Sequence, residues 1–306
     1  MLKYTDVDFR RLTGFHKNQL TQIAKALKIP QNVSNFALAP DESFFIFLVR
    51  LRNGYTYSVL AKLCNREIST ISRVVSFLTC YLYHIIMPKL IVTSATRLPE
   101  RLRDIDRALI EDDRSIEGSN VVAFIDGFHV KIGRSHSHAR HGSGIAQNAI
   151  DNVHKKTILL RYQAVTTPDG LCIDLSVSLA ASQNDPFMLY RVYGDPAYRS
   201  SNVLVVGFEG QMLTPDEETQ NKTMSASRVS TEWFFAAVKN NFRIFNDNGV
   251  LKVGGVRGCG AYFPIAIFLT NIKHCLEGSQ ASNYFQVDPP PNNGRIHEWN
   301  EVSRIL

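Results

Sequence analysis

Three acidic residues, far apart in a chain of 306 residues, have the setting for metal chemistry. Asp126 closes the apolar run VVAFID that begins at Val121, Asp195 follows VYG, and Glu232 stands in SRVSTEWFF. A carboxylate emerging from a buried strand is carried on a rigid element. Carboxylates that converge in this way hold a divalent cation, because Mg²⁺ takes hard oxygen ligands and keeps several waters besides one or two carboxylates. The reaction such a centre serves is in-line displacement at a phosphodiester. Singly, each residue has a plainer reading, and an Asp before a Gly, as in Asp126-Gly127, is ordinary turn material. The weight lies in the combination.

The elements that must position these residues are strands first and a helix after them. From Val121 the pattern reads as VVAFIDG, then HVKIGR, then TILLRYQAVTT, with the turn Pro168-Asp169-Gly170 leading into LCIDLSVSL. A short strand VYGD and another in NVLVVGF follow. Behind the polar stretch TPDEETQNKTMSASR, a helix is expected from Val229 to about Phe242 and another from Tyr262 to about Glu277. Strands with carboxylates at their ends, then a helix carrying a third, describe a mixed α/β sheet domain rather than a doubly wound one.

Ahead of the strands the chain reads as helical. A packing helix presents Leu20, Ile23 and Leu27 on one face and stops at Pro30. A core helix in ESFFIFLVRLRNG has Asp41 as its N-cap and Gly54 as its stop. A short helix around residues 57–64 and a longer one from Ser69 to about Ile86, joined by Asn65-Arg66-Glu67, have the proportions of a helix-turn-helix. In that reading Arg66, Ser69, Thr70, Ser72 and Arg73 face DNA, serving phosphates and base edges. The other reading is an ordinary helical hairpin. The resulting division is a helical domain over 1–90, a linker helix within 91–118, a sheet domain over 119–280 and an extended, proline-rich tail over 281–306.

Composition sets the frame. With 44% hydrophobic and 20% charged residues the chain buries a real core, and disorder is excluded for most of it. A formal charge of +6 and a pI near 9.0 favour a polyanionic partner. The five cysteines are odd in number and form no Cys-x-x-Cys pair, which argues against both a disulfide framework and a zinc ribbon. No signal peptide is read at the N-terminus, and no stretch approaches the ~18 apolar residues of a membrane span. A soluble protein of the cytoplasm or nucleus is expected. His136, His138 and His141 lack an acidic or Cys partner at ligand spacing; with Arg134, Arg140 and Lys155 nearby they read better as a basic loop that faces DNA.

Taken in order, several motifs resemble the Harbinger-type DDE transposases, the fungal ones especially. They are IDGFH with Asp126 and His129, YQAVTTPDGL, SQND ending in Asp185, VYGDPAY with Asp195, the N-x-x-M-S-x-x-R-V-S-x-E-W-F-F segment with Arg228 and Glu232, and FLTNIKHCLEG. The helical segment from LVRLRNG onward looks like the helix-turn-helix that precedes their nuclease domain. The resemblance implies a ribonuclease H-like fold with Asp126 on its first strand, Asp195 just after its fourth and Glu232 on a following helix. It also implies that these three bind Mg²⁺ or Mn²⁺ and are catalytic, and that His129, Asp185 and Arg228 support them. Arg228, four residues before Glu232 on one helix face, would hold a phosphate or orient that carboxylate. The implied substrate is the double-stranded DNA of transposon ends, cut and then joined to a target, in the nucleus. A homo-oligomer and a separate Myb-like partner belong to the same picture.

One departure stands against it. Only the twelve residues 180–191 link the strands on either side, where family members carry a longer segment with a helix. A crossover between parallel strands needs at least ~10 to 12 residues, so this one is marginal. It supports an alternative, a domesticated or decayed transposase that binds DNA without cutting it. A metal-dependent phosphatase or other hydrolase on a mixed sheet is a third reading.

Overall fold

In the computed structural model the described residues are 4–31, 33, 38–92, 98–111, 121–132, 151–152, 157–176, 191–196, 198, 200–202, 204–210, 212–246, 251 and 259–289. The expectations for Arg134, His136, His138, Arg140, His141, Lys155 and Asp185, for the short crossover and for a boundary near Gly118 lie outside them.

A mixed sheet is built around β1, Val121–Ile132. It pairs antiparallel with β3, Thr157–Thr166, placing Asp126 opposite Ala164 and Gly127 opposite Gln163. The two-residue β2, Asp151–Asn152, and β4, Cys172–Ser176, both pair antiparallel with β3. On the other side of β1, β5 (Arg191–Gly194) runs parallel to it, and β6 (Leu204–Val206) runs parallel to β5. The order β2-β3-β1-β5-β6, with β4 also on β3, is compatible with the ribonuclease H-like arrangement. VVAFIDG and HVKI are one strand rather than two. Gly127 lacks the positive φ of a turn and keeps its ladder partner, so β1 runs through it.

The helical half is finer than the periodicity suggested. Where one packing helix was expected there are two, α1 (Asp6–Thr13) and α2 (Lys17–Ala26). Thr5 and Asp8 form a capping box that starts α1, and Gly14 at φ 85° ends it. The core helix α3, Pro40–Asn53, starts one residue before Asp41, which lies in its first turn behind the cap residue Ala39; it stops at Gly54, φ 69°. Next come α4 (Tyr57–Cys64), α5 (Ile68–Val92) and α6 (Leu98–Glu111). After the sheet, α7 spans Pro215–Asn241, α8 Cys259–Glu277 and α9 Gln280–Phe285.

The polar stretch expected to precede α7 is its first half. Thr214 caps the helix, Pro215 opens it, and Glu217 closes a capping box. These signals sit in a segment with little apolar face to bury, which is why the period of hydrophobic residues starts only later. Arg228 and Glu232 therefore lie in the interior of a 27-residue helix.

Helices and sheet share one core. The largest cluster of buried side chains includes Phe9 of α1, Phe44 and Phe47 of α3, Val74 and Leu78 of α5, Phe128 of β1, Tyr162 of β3, Phe235 of α7 and Ile272 of α8. The N-terminal helices are thus packed against the sheet-bearing part. Residues 68–87 of α5 are long and apolar enough to cross a membrane, contrary to the sequence expectation. In this fold Val74, Val75, Leu78, Leu82 and Ile86 spend that apolarity in the core, fully buried. The helix expected as a linker, α6, buries Leu102, Ile105 and Leu109 in a second cluster with Val121, Val122 and Phe124 of β1. The tail expected to be extended from 281 onward begins as α9, whose Phe285 stacks on Phe124 at 5.9 Å while Tyr284 meets Trp233 of α7 at 5.2 Å. Two aromatic anchors dock this first part of the tail, and residues 290–306 lie outside the described ones.

Candidate cation site on the central strands

Neutral contacts between buried groups fix the frame of the site. The turn between β3 and β4 has Gly170 at φ 81°, and a Cβ there would lie 1.9 Å from the Ser279 Oγ, so only glycine fits. Its carbonyl lies 2.6 Å from Nδ1 of the buried His274 on α8. Burial holds the His274 pKa below the usual imidazole range, and the neutral ring donates from Nδ1 to that carbonyl. One turn earlier on α8, Asn271 accepts from the Cys172 N–H at 2.9 Å and donates to the Cys172 carbonyl at 2.7 Å. Thr231 on α7 and Thr166 on β3 share a buried hydroxyl contact of 2.8 Å. The YQAVTTPDGL and FLTNIKHCLEG motifs therefore grip each other, and both long helices are set over the sheet.

This frame decides which way Asp126 points. Side chains along a strand alternate between faces, so Phe124, Asp126, Phe128 and Val130 share one face. Phe128 stacks on Phe235 of α7 at 4.6 Å and on Phe263 of α8 at 4.9 Å, so that face lies under α7. Asp195 arrives through the parallel register. Tyr193 pairs with Phe124, and two residues further on stand Asp126 within β1 and Asp195 just past the end of β5, on neighbouring stretches of chain about 5 Å apart where the strands pair. Gly194 is closely surrounded: a Cβ there would lie 3.0 Å from Ile125 and 3.2 Å from Tyr198, the residue whose N–H closes the turn onto the Asp195 carbonyl at 2.9 Å.

Both carboxylates meet one cation, which belongs to the protein. The Nη1 of Arg228 lies 3.4 Å from Asp126 Oδ2, and its Nη2 lies 3.8 Å from Asp195 Oδ2. The other oxygen of Asp126 accepts the Gly127 N–H at 2.7 Å. The side chains of Asp126 and Arg228 are about a fifth exposed, at 23% and 20%, and that of Asp195 is 42% exposed. At these lengths the contacts are ion pairs looser than a direct N–H···O hydrogen bond, which is near 2.9 Å.

Glu232, one helical turn beyond Arg228, is exposed. Among the described residues no group of three or more His, Cys, Asp or Glu side chains stands close enough to hold an ion. The structure thus unites Asp126 and Asp195 around Arg228 and leaves Glu232 outside the pair. Arg228 pairs with the two aspartates, and no ion pair with Glu232 is found among the described residues. His129 is exposed on the face opposite Asp126, because β1 continues to Ile132, so the strand end at Gly127 on which its phosphate contact was premised is absent. Thr231, Asn271 and His274 were not singled out from sequence. They lie inside the quoted motifs, and nothing short of the packing reveals that the motifs touch.

At the α4–α5 turn, Ser69 and Arg73 are exposed and Ser72 is half-buried. Arg66 is engaged with Glu42, its Nη2 donating at 2.8 Å. Thr70, expected to face DNA, is buried at 9% exposure. It lies one turn before Val74 on the inward stripe of α5, so burial of that stripe takes it off the outer face.

Residues 125–271 match the family model described as DDE superfamily endonuclease. This stretch, just under half of the chain, is similar to transposase-type nucleases and contains both aspartates, Arg228, Glu232, Thr231 and Asn271. No curated protein and no solved structure matches the chain.

Proposed function

We propose that the protein is a divalent-metal-dependent DNA endonuclease of the transposase type, cutting at transposon ends and joining the freed strand to a target. The observation that carries this reading is the pair Asp126 and Asp195, brought by parallel register to one cationic point inside the stretch similar to DDE endonucleases. The donor set fits a hard cation: two carboxylates with waters are what Mg²⁺ ordinarily takes, and Mn²⁺ accepts the same ligands. Asp126 and Asp195 would hold it, with Glu232 assigned as the third carboxylate from α7. A bound divalent ion would supply an activated water and charge neutralisation at the scissile phosphate. The work of the chain itself is positioning: β1, β5 and α7, locked by the neutral clamps, keep the carboxylates where a phosphodiester can be presented in line.

DNA recognition is assigned to the outer face of the α4–α5 helix-turn-helix, through Ser69, Ser72 and Arg73, and to the basic residues Arg134, Arg140 and Lys155. The net charge of +6 supports a polyanionic substrate. A nuclear location, a homo-oligomer and a Myb-like partner complete the proposal, as does Harbinger-type ancestry.

The test is nicking of a terminal-repeat oligonucleotide with Mg²⁺ or Mn²⁺. Cleavage is expected from the full chain and its loss from Asp195→Ala. A decayed DNA-binding protein is the second reading, favoured by the exposed Glu232 standing outside any group of three possible ligands. Specific binding with no cleavage in either metal would decide for it.

A further inference from the structure

We propose that Arg228 is a built-in counter-ion that keeps the Asp126–Asp195 pair assembled in the ion-free protein and competes with the divalent cation for it. The inference rests on reading that pair as the metal site. Its geometry is a bridge: Arg228 uses Nη1 for one carboxylate and Nη2 for the other, at 3.4 and 3.8 Å, so the guanidinium spans the gap between them. A divalent cation held by the same two carboxylates would face a like charge. Ion and guanidinium compete for the pair through Coulomb repulsion in a partly desolvated setting.

The backbone cannot resolve the conflict by moving away. Arg228 is in the interior of α7, three residues from the Thr231–Thr166 hydroxyl contact and seven from Phe235, which is stacked on β1. The side chain has to swing, and its looser contact is with the more exposed Asp195. The arrangement also offsets the mutual repulsion of two carboxylates on adjacent strands. Three consequences follow: the ion-free fold is stable, ion affinity is set below what the donors alone would give, and loading frees a guanidinium beside the carboxylates.

Binding of Mn²⁺ to the full-length protein, followed by the loss of the free-ion paramagnetic resonance signal, tests this. Arg228→Gln is expected to bind Mn²⁺ about tenfold more tightly than wild type, the scale set by a change of ~1.4 kcal/mol. Arg228→Lys, which keeps the charge, is expected to stay within a few-fold. Ion-free Arg228→Gln should also melt below wild type and gain more from added Mn²⁺. Equal or weaker Mn²⁺ binding by Arg228→Gln overturns the proposal. Should that variant not fold, the ¹⁵N-labelled Arg228 guanidinium in wild type decides: its resonance, assigned by its absence in Arg228→Lys, must shift on saturation with Mg²⁺, and a resonance that stays in place rejects the exchange. Asp195→Ala separates the two ideas. If it weakens Mn²⁺ binding while Arg228→Gln changes nothing, only the counter-ion role falls. If it binds Mn²⁺ as wild type does, or if neither protein binds the ion at all, the metal site falls and the counter-ion role with it.

Discussion

The grip of α8 on the β3–β4 turn and the aspartate pair under α7 are neighbours in the fold and opposites in their physics. In the grip, polar groups are buried, neutral and joined by hydrogen bonds of 2.6–2.9 Å, with Asn271 satisfying both the donor and the acceptor of one residue. At the aspartate pair, charged groups are partly exposed and the contacts are 3.4 and 3.8 Å. Breaking a buried neutral hydrogen bond strands a desolvated partner, whereas an ion pair open to water can be exchanged for another cation at small cost. One region holds a geometry and the other is left able to change partners. A site that must accept and release ligands is expected to be built from the second kind of contact and framed by the first.

Two substitutions of similar size should break that comparison in opposite ways. Asp126→Asn is expected to lower cleavage by on the order of a thousandfold, the loss typical of removing one electrostatic contact to a transition state. Its thermal midpoint should stay close to wild type, because the Gly127 N–H can still be accepted by the amide oxygen. Asn271→Ala should do the reverse. It leaves the buried N–H and carbonyl of Cys172 without partners, at a cost of about 3 kcal/mol in urea unfolding, while cleavage measured well below the midpoint is retained. If Asn271→Ala abolished cleavage in the folded protein, or Asp126→Asn unfolded it, the separation of frame from site would be wrong.

The unequal legibility of the two regions in the sequence has the same origin. Asp126 and Asp195 were readable because each closes an apolar run in the sequence, and strand order plus parallel register then brings them together. The cap residues Thr214, Pro215 and Glu217 were also written in the chain, but no apolar stripe drew attention to them, and α7 was expected to start at Val229. What no local pattern contains is a contact between distant segments. The Asn271–Cys172 hydrogen bonds join residues 99 positions apart, and the inward turn of Thr70 depends on which stripe of α5 the rest of the core covers. For the same reason the helical segment read as a separate module: its periodicity says that a face is buried, and only the fold says that α8 and the sheet share in burying it. Glu232 is the sharpest case. Motif order placed it beside the aspartates; in the fold it follows Arg228 by one turn on the same face of α7, but it is exposed and joins no group of three possible ligands among the described residues, because a shared face does not fix how far along the helix the site extends.

A smaller effect sharpens the contrast, because the neutrality of the grip can be titrated. His274 is buried with its pKa held below the usual value mainly by desolvation, with the Gly170 carbonyl and Asp169 pulling the other way. The neighbouring charges are Lys273 and Glu277 on its own helix and Asp169 on the turn, and the ring of Phe234 on α7 meets it edge-on at 5.6 Å. In the unfolded chain the imidazole takes up a proton below pH ~6.5, whereas the folded protein resists until its lower pKa is reached. Over that interval the unfolded state binds more protons, so stability falls as the pH drops and is regained above pH ~6.5. His274→Asn keeps a donor for the Gly170 carbonyl and removes the titration. Between pH 7.5 and 5 its thermal midpoint should fall less than that of wild type. Parallel curves for the two proteins would mean that the acid sensitivity of the fold lies elsewhere, and that the grip is not kept neutral at a cost in protonation.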